Sequence, residues 1–316
     1  MTSTTHNTLQ SIPLAFWHAF HRSTDLQRVE DAAARIQAPI GTGRRILVTS
    51  AREKTGRTTL TAALAQTYSR FRPEPIGAVD LDLHHGSLGA RLGSSATPRG
   101  HHVGVTADHV AQHVRENGTG SAESFLALLH LAPHRVHHTA ARSTPQSLSA
   151  ADTRDLLAGF SRFFPVTLTD CTPGYESSET RAALRSAHAV LHTLPADALA
   201  VDETLHFLLA TGQHQRRLPE PSLVVAVVET TPHVTVEAKR VATTLRDRGF
   251  SVHHVPFDRH LNVNASVAPR LIHPKTHRVI AELAAELLER ANSLPRGIPA
   301  VVRERGVKER RGWNDT

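Results

Sequence analysis

The chain of 316 residues and 34.4 kDa is long enough for two domains, or for one large α/β domain with tails. Its 40% hydrophobic and 21% charged residues fit a globular core, no apolar run approaches the roughly 18 residues of a membrane span, and the single cysteine, Cys171, excludes an internal disulfide. The formal charge of +7 sits mostly at the ends: residues 46–292 carry 25 basic against 23 acidic groups, which argues against a nucleic-acid-binding face.

In chain order, residues 1–42 read as an N-terminal extension, short helices or unordered chain, without the charged-then-apolar build of a signal peptide. Its aromatic stretch Leu14 to Phe20 suits a short helix that docks on a partner, on a membrane surface or back on the protein. Asp25 to Ile36 reads as a helix with Leu26, Val29, Ala33 and Ile36 on one face. Arg45 to Thr49 is a buried strand, and Thr58 to Ser69 a helix with Leu60, Ala63, Leu64 and Tyr68 at helical spacing. Ile76 to Asp80 is the second strand. The Gly-, Ser- and His-rich segment 94–148 shows only a helix near Thr106 to Val114 and an ambiguous apolar stretch from Phe125 to Ala132.

Beyond it the pattern is clear again. Ser149 to Phe163 is helical, Val166 to Asp170 a third strand and Ala189 to Leu191 a fourth, followed by a helix from Val201 to Ala210. Leu223 to Val228 is a fifth strand, continuous in Val and Ala as when both faces are covered. A helix from Val234 to Arg248 closes at Gly249, Ser251 to Val255 is a sixth strand, and Pro274 opens a last helix that reaches Ala291. Strands alternating with helices predict a doubly wound, mostly parallel sheet over residues 43–292, with 293–316 left as a basic unordered tail.

The first strand-loop-helix unit carries the chemistry. A dinucleotide fingerprint is rejected, since Gly41-Thr42-Gly43 precedes the strand rather than following it. A phosphate loop needs G-x-x-x-x-G-K-[ST] at this place, and the chain reads Ala51-Arg52-Glu53-Lys54-Thr55-Gly56-Arg57-Thr58-Thr59. The second glycine and the hydroxyl that would hold Mg²⁺ (Thr58) are present, whereas the lysine position is Arg57. Asp80-Leu81-Asp82 ends the second strand and Asp170 the third, where carboxylates would hold Mg²⁺ and its waters. Pro256-Phe257-Asp258 follows the sixth strand, on the base side of such a site.

These pieces, in this order, resemble the MinD/ParA family of deviant Walker ATPases over about residues 45–290. Asp170-Cys171 with Gly174, Arg181-Ala182-Ala183-Leu184 and Val255-Pro256-Phe257-Asp258-Arg259-His260-Leu261 are similar to the MinD-like ATPases of type VII (ESX) secretion. The resemblance implies a P-loop NTPase fold, ATP and Mg²⁺ as cofactors, hydrolysis to ADP and phosphate, and a homodimer, or a heterodimer with an intact relative. It also implies a cytoplasmic location, possible contact with secretion-machinery proteins and membrane contact that is at most peripheral. The family loop K-G-G-x-G-K-T-T aligns with residues 52–59, so Arg52 stands where a lysine reaches across the dimer. Lys54, Thr55, Gly56, Arg57, Thr58 and Thr59 line the phosphates, and Glu229, Pro256 and Asp258 the base. Asp82 orients the attacking water, and Thr58, Asp80 and Asp170 serve the metal. Glu53 and Lys54 replace the glycines that let backbone N–H groups approach phosphate, and the planar Arg57 is no simple substitute for a compact ammonium. Two readings therefore stand: a pseudo-ATPase scaffold or regulator, preferred here, and an ATP-dependent dimerisation switch serving secretion or partitioning.

The histidine pairs at 84–85, 101–102, 137–138 and 253–254 read as ordinary surface or core residues, since neighbours on a strand point to opposite faces, and Cys171 reads as a buried packing residue.

Overall fold

A computed structural model describes residues 14–82, 86–94, 105–140, 148–214, 223–263 and 266–293. The expected basic tail from 294 onward and the histidine pairs at 84–85 and 101–102 lie outside the described residues. Among the described residues eight strands form one sheet: β1 (Arg44–Thr49), β2 (Ile76–Leu81), β3 (His130–Ala132), β4 (Val136–His138), β5 (Val166–Cys171), β6 (Ala189–Pro195), β7 (Leu223–Val228) and β8 (Val252–Val255). Their order is β3-β4-β2-β5-β1-β6-β7-β8, and every pairing is parallel except β3 with β4. The central strands are buried nearly throughout, as the unbroken apolar runs require.

Helices cover both faces. On one lie α1 (Leu14–Ile36), α2 (Arg57–Phe71) and α11 (Pro274–Ser293), whose Ile36, Leu60, Leu64, Tyr68, Leu283 and Leu287 close over Ile46, Val48 and Ile76. On the other lie α4 (Ala107–Asn117), α6 (Ala150–Phe163) and α7 (Ser178–Ser186), with Phe125, Leu156 and Phe160 against Leu47 and Val79. A third cluster seats α8 (Ala198–His214) and α9 (Thr235–Asp247) against β6 and β7. The short helices α3 (Leu88–Arg91), α5 (Ala122–Ala127) and α10 (Arg259–Asn262) lie in the connections. Two glycines permit the close packing of α6: a Cβ on Gly43 would stand 2.2 Å from the Ser161 carbonyl oxygen, and one on Gly77 would stand 2.8 Å from the Phe160 ring.

Two stretches differ from the sequence reading. Among the described residues of the N-terminal segment one helix of 23 residues runs from Leu14 to Ile36; of the expected face Ile36 is buried and Val29 and Ala33 are half-buried, Ala32 is buried beside them, and Leu26 is 63% exposed. α1 runs parallel to α11, tied by Asp25 to Arg278, Arg28 to Glu282 and Arg35 to Glu289. The carbonyls of Ile36, the last residue of α1, and of Ala38 just beyond it accept from the buried Arg72 guanidinium. Finally, the ambiguous stretch from Phe125 to Ala132 splits into the end of α5 and strand β3, which with β4 extends the sheet beyond β2. Among the described residues no helix is long and apolar enough to cross a membrane.

Candidate functional site

The sheet order changes direction at β1, which lies between β5 and β6, and ligands of such sheets gather at the carboxyl ends of the strands flanking that point. The loop after β1 leads there into α2. Gly56 precedes the helix at φ +80°, a left-handed conformation that glycine adopts without strain, and its added Cβ would meet Val228 at 3.1 Å. Lys54 holds φ +59° without that freedom. Thr55 is buried and anchors the loop, its hydroxyl 2.8 Å from that of Thr193 on β6. A cleft of about 1410 Å³ opens over the loop. It is lined by Glu53 through Leu60 on the phosphate-loop side and by Val228, Glu229, Val255, Pro256 and Asp258 on the other.

At its floor Arg57, the first residue of α2, is 7% exposed. Its Nε donates to Asp170 Oδ1 at 2.9 Å, one terminal nitrogen to Asp82 Oδ2 at 2.7 Å, and the other to Ser50 Oγ at 2.9 Å. One guanidinium thus joins the ends of β1, β2 and β5. Burial opposes its charge, and the carboxylates of Asp170 and Asp82 outweigh that opposition and hold it protonated.

Asp80 pairs in register with Asp170 across β2 and β5, and burial raises the proton affinity of both. The Asp170 charge raises Asp80 further, whereas Arg57 and the Thr58 hydroxyl act in the opposite direction on Asp170. The Asp80 oxygens accept from the Asp82 and Leu88 backbone N–H groups, which closes the turn after β2. Oδ2 of Asp170 is buried and has no hydrogen-bond partner among the described residues.

The structure brings Thr55, Gly56, Arg57, Thr58, Asp80, Asp82 and Asp170 together, with Lys54, Thr59, Glu229, Pro256 and Asp258 around the same cleft. Arg52 turns aside: its guanidinium pairs with Asp197 and, at 3.2 Å, with Glu203 of α8. Glu229 is committed to its own chain, its Oε1 accepting from His254 Nε2 at 2.6 Å and its Oε2 from the Phe257 N–H at 3.1 Å and the Thr235 hydroxyl at 3.2 Å. The two carboxylate oxygens of Asp258 cap α10 and accept the His273 N–H at 2.8 Å. Ser50, Asp197, Glu203 and His254 are the partners that sequence reasoning missed. Only His254 carried a signal, as half of a histidine pair.

Solved structures align over about four fifths of the chain. MinD of Pyrococcus horikoshii OT3 complexed with Mg-ADP is 15% identical, with a TM-score of 0.56 over 80% of this chain and all of that one. The MinC:MinD cell division complex of Aquifex aeolicus gives 14% and 0.57 over 81% and 99%. An ATP complex of Cyanothece McdA gives 12% and 0.58 over 78% and 96%. The chain has the MinD/ParA fold. Among curated proteins, the ESX-1 secretion-associated protein EspI of Mycobacterium tuberculosis is 26% identical over 262 residues, which is 81% of this chain. The chain spans 38% of the length of that relative. No family model matches the chain.

The residues present do not fit Mg²⁺ and ATP as they stand in the MinD/ParA fold. The position of the phosphate-binding lysine holds a guanidinium that pairs with Asp170, one of the expected metal residues, and with Asp82, the residue expected to orient the attacking water, and the base-side Glu229 and Asp258 have their oxygens taken by the chain itself. Among the described residues no three His, Cys, Asp or Glu side chains are arranged to hold a metal ion.

Proposed function

We propose that this chain is a MinD/ParA-like scaffold or regulator associated with type VII (ESX) secretion, with a nucleotide site that no longer runs an ATP cycle. The Arg57 bridge between Asp82 and Asp170 carries the reading. A buried ion pair of this kind is expensive to open, because either partner left alone keeps an uncompensated charge out of water. The likeness to EspI supports the secretion context. Pairing with an intact MinD/ParA relative, or with a second copy, belongs to the same reading, as does a cytoplasmic location with at most peripheral contact to the membrane. Arg52 gives up two ion pairs of its own chain if it is to reach a partner.

Titration of the purified protein with a fluorescent ATP analogue and Mg²⁺ tests the proposal, with the combined Arg52→Lys, Glu53→Gly, Lys54→Gly and Arg57→Lys variant in parallel. The expected result is binding only after repair. Micromolar binding by the wild type overturns the scaffold reading and establishes the alternative, an ATP-dependent switch. That alternative is favoured by one observation: Thr58 and Asp82 line an open cleft, with the paired Asp80 and Asp170 buried beside them.

A further inference from the structure

A hydroxyl of the cleft wall meets an imidazole from a neighbouring strand. Ser94 lines the cleft at the end of the turn that follows α3, where its N–H donates to the Gly89 carbonyl at 2.9 Å. His138 ends β4, in register with Ala78 of β2, and is 2% exposed. Its Nδ1 lies 2.8 Å from the Thr139 carbonyl oxygen, which can only accept, so Nδ1 carries the ring proton and Nε2 is bare. Ser94 Oγ, 2.6 Å from Nε2, therefore donates to it. Gly89 makes this approach possible, since a Cβ there would stand 2.9 Å from His138 Cε1. A hydroxyl beside the open cleft, a base that can take its proton and a carbonyl that fixes the tautomer of that base are the three parts of an activated nucleophile.

We propose that Ser94 is a nucleophile toward carboxylic esters admitted to the cleft, with His138 as its general base. This activity does not depend on whether nucleotide binds, since neither residue belongs to the phosphate loop or to the group of Asp80, Asp82 and Asp170. In the first step Ser94 Oγ bonds to the ester carbonyl carbon and its proton passes to His138 Nε2. The bond to the leaving alcohol then breaks and the departing oxygen takes that proton, which leaves acyl-Ser94 and a neutral imidazole. Attack by water, whose proton passes through Nε2 to Ser94 Oγ, releases the carboxylic acid and restores the hydroxyl. Burial lowers the pKa of His138 to about 4; the bond to the Thr139 carbonyl opposes this, and His130, stacked on the ring, and His137 beside it add to it. The imidazole is thus neutral and able to accept at about pH 6–8, but a base this weak contributes at the low end of the general-base range, about 100-fold. With an activated ester the acyl step outruns the hydrolytic one, and acyl-Ser94 accumulates.

The test treats the full chain, without nucleotide, with p-nitrophenyl acetate and separately with a fluorophosphonate probe, and locates the modified residue by peptide mass spectrometry. The wild type is expected to release about one p-nitrophenolate per chain in a burst and to carry the acyl or phosphonyl group on Ser94. Ser94→Ala should abolish both, and His138→Gln should slow phosphonylation by about 100-fold. The wild-type labelling rate should stay level between about pH 6 and 8, because His138 is already neutral there, whereas a serine ionised by hydroxide gains about tenfold per pH unit. Three results overturn the proposal and leave the pair as a tie between the α3 turn and β4: a wild type without label on Ser94, a rate that climbs with pH in that manner, or a folded His138→Gln that labels as fast as the wild type. Where His138→Gln does not fold, the wild-type pH profile decides.

Discussion

Replacing Glu229 with alanine separates a structural strap from a base-contacting residue. The carboxylate is 3% exposed and takes three hydrogen bonds, from His254 at 2.6 Å, Phe257 at 3.1 Å and Thr235 at 3.2 Å. Bonds to a charged acceptor contribute about 1.5–3 kcal/mol each when the partner is left unsatisfied. Here the donors are only partly buried, with His254 20% exposed, so water entering the gap recovers much of that. The expected loss is therefore about 2–3 kcal/mol in total, a drop in Tm of about 5–10 °C at ~2–4 °C per kcal/mol for a domain of this size. Denaturant unfolding gives the free energy, and a cycle with His254→Ala should return a coupling of about 1–2 kcal/mol between the two side chains. A loss below about 0.5 kcal/mol with no coupling refutes the strap. The carboxylate would then be free to face the cleft, as its alignment with a base-reading position implies.

Three further expectations concern the frame around the site. Burial raises the proton affinity of Glu286, but hydrogen bonds from His253, Ser251 and Arg290 outweigh it and bring its pKa from 4.5 down to about 2. Its folded value lies below its unfolded one, so this contribution is fully present above about pH 4.5 and is lost as pH falls toward 2, a dependence that Glu286→Gln should remove from acid unfolding curves. Ile36→Ala empties a fully buried site in the main core and should lower stability by about 2–4 kcal/mol by denaturant unfolding; near-neutrality would mean that α1 does not dock. Gly43→Ala places a Cβ 2.2 Å from a backbone carbonyl and should lower Tm by several degrees, whereas an unchanged Tm would contradict the packing of α6 on β1.

The strands that sequence reading located carry a short apolar run followed by a helical stretch. Leu223–Val228 is apolar throughout, Ile46 to Val48 form the apolar centre of Arg44–Thr49, and their alternation with helices placed the sheet and the loop at its carboxyl edge. β3 and β4 were illegible because three-residue strands reading His-Leu-Ala and Val-His-His carry no period to count, and only the pairing of β4 with β2 and of β3 with β4 makes them strands. Helical spacing assigned Leu26, Val29, Ala33 and Ile36 inward; Ile36 is buried, whereas Leu26 is exposed and the unassigned Ala32 is buried in its place. The residues of the loop could be aligned one by one, yet their commitments could not. Arg57 meets Asp170 across 113 positions, Arg52 meets Asp197 across 145, and Glu229 meets His254 on the next strand. Such pairings depend on which strands the fold makes neighbours.

The parallel course of α1 and α11 determines how anything joined to this domain is presented. α11 starts beside Asp258 at the carboxyl edge of the sheet and ends where Asn292 meets Arg44, at the start of β1. Because α1 keeps step with it, from Asp25 opposite Arg278 to Arg35 opposite Glu289, the chain enters on the side of the cleft and leaves from the opposite edge. A segment fused after α11 is carried away from the site by the length of a 20-residue helix, about 30 Å. The helix pair works as a strut with polarity, its two ends lying at opposite edges of the sheet.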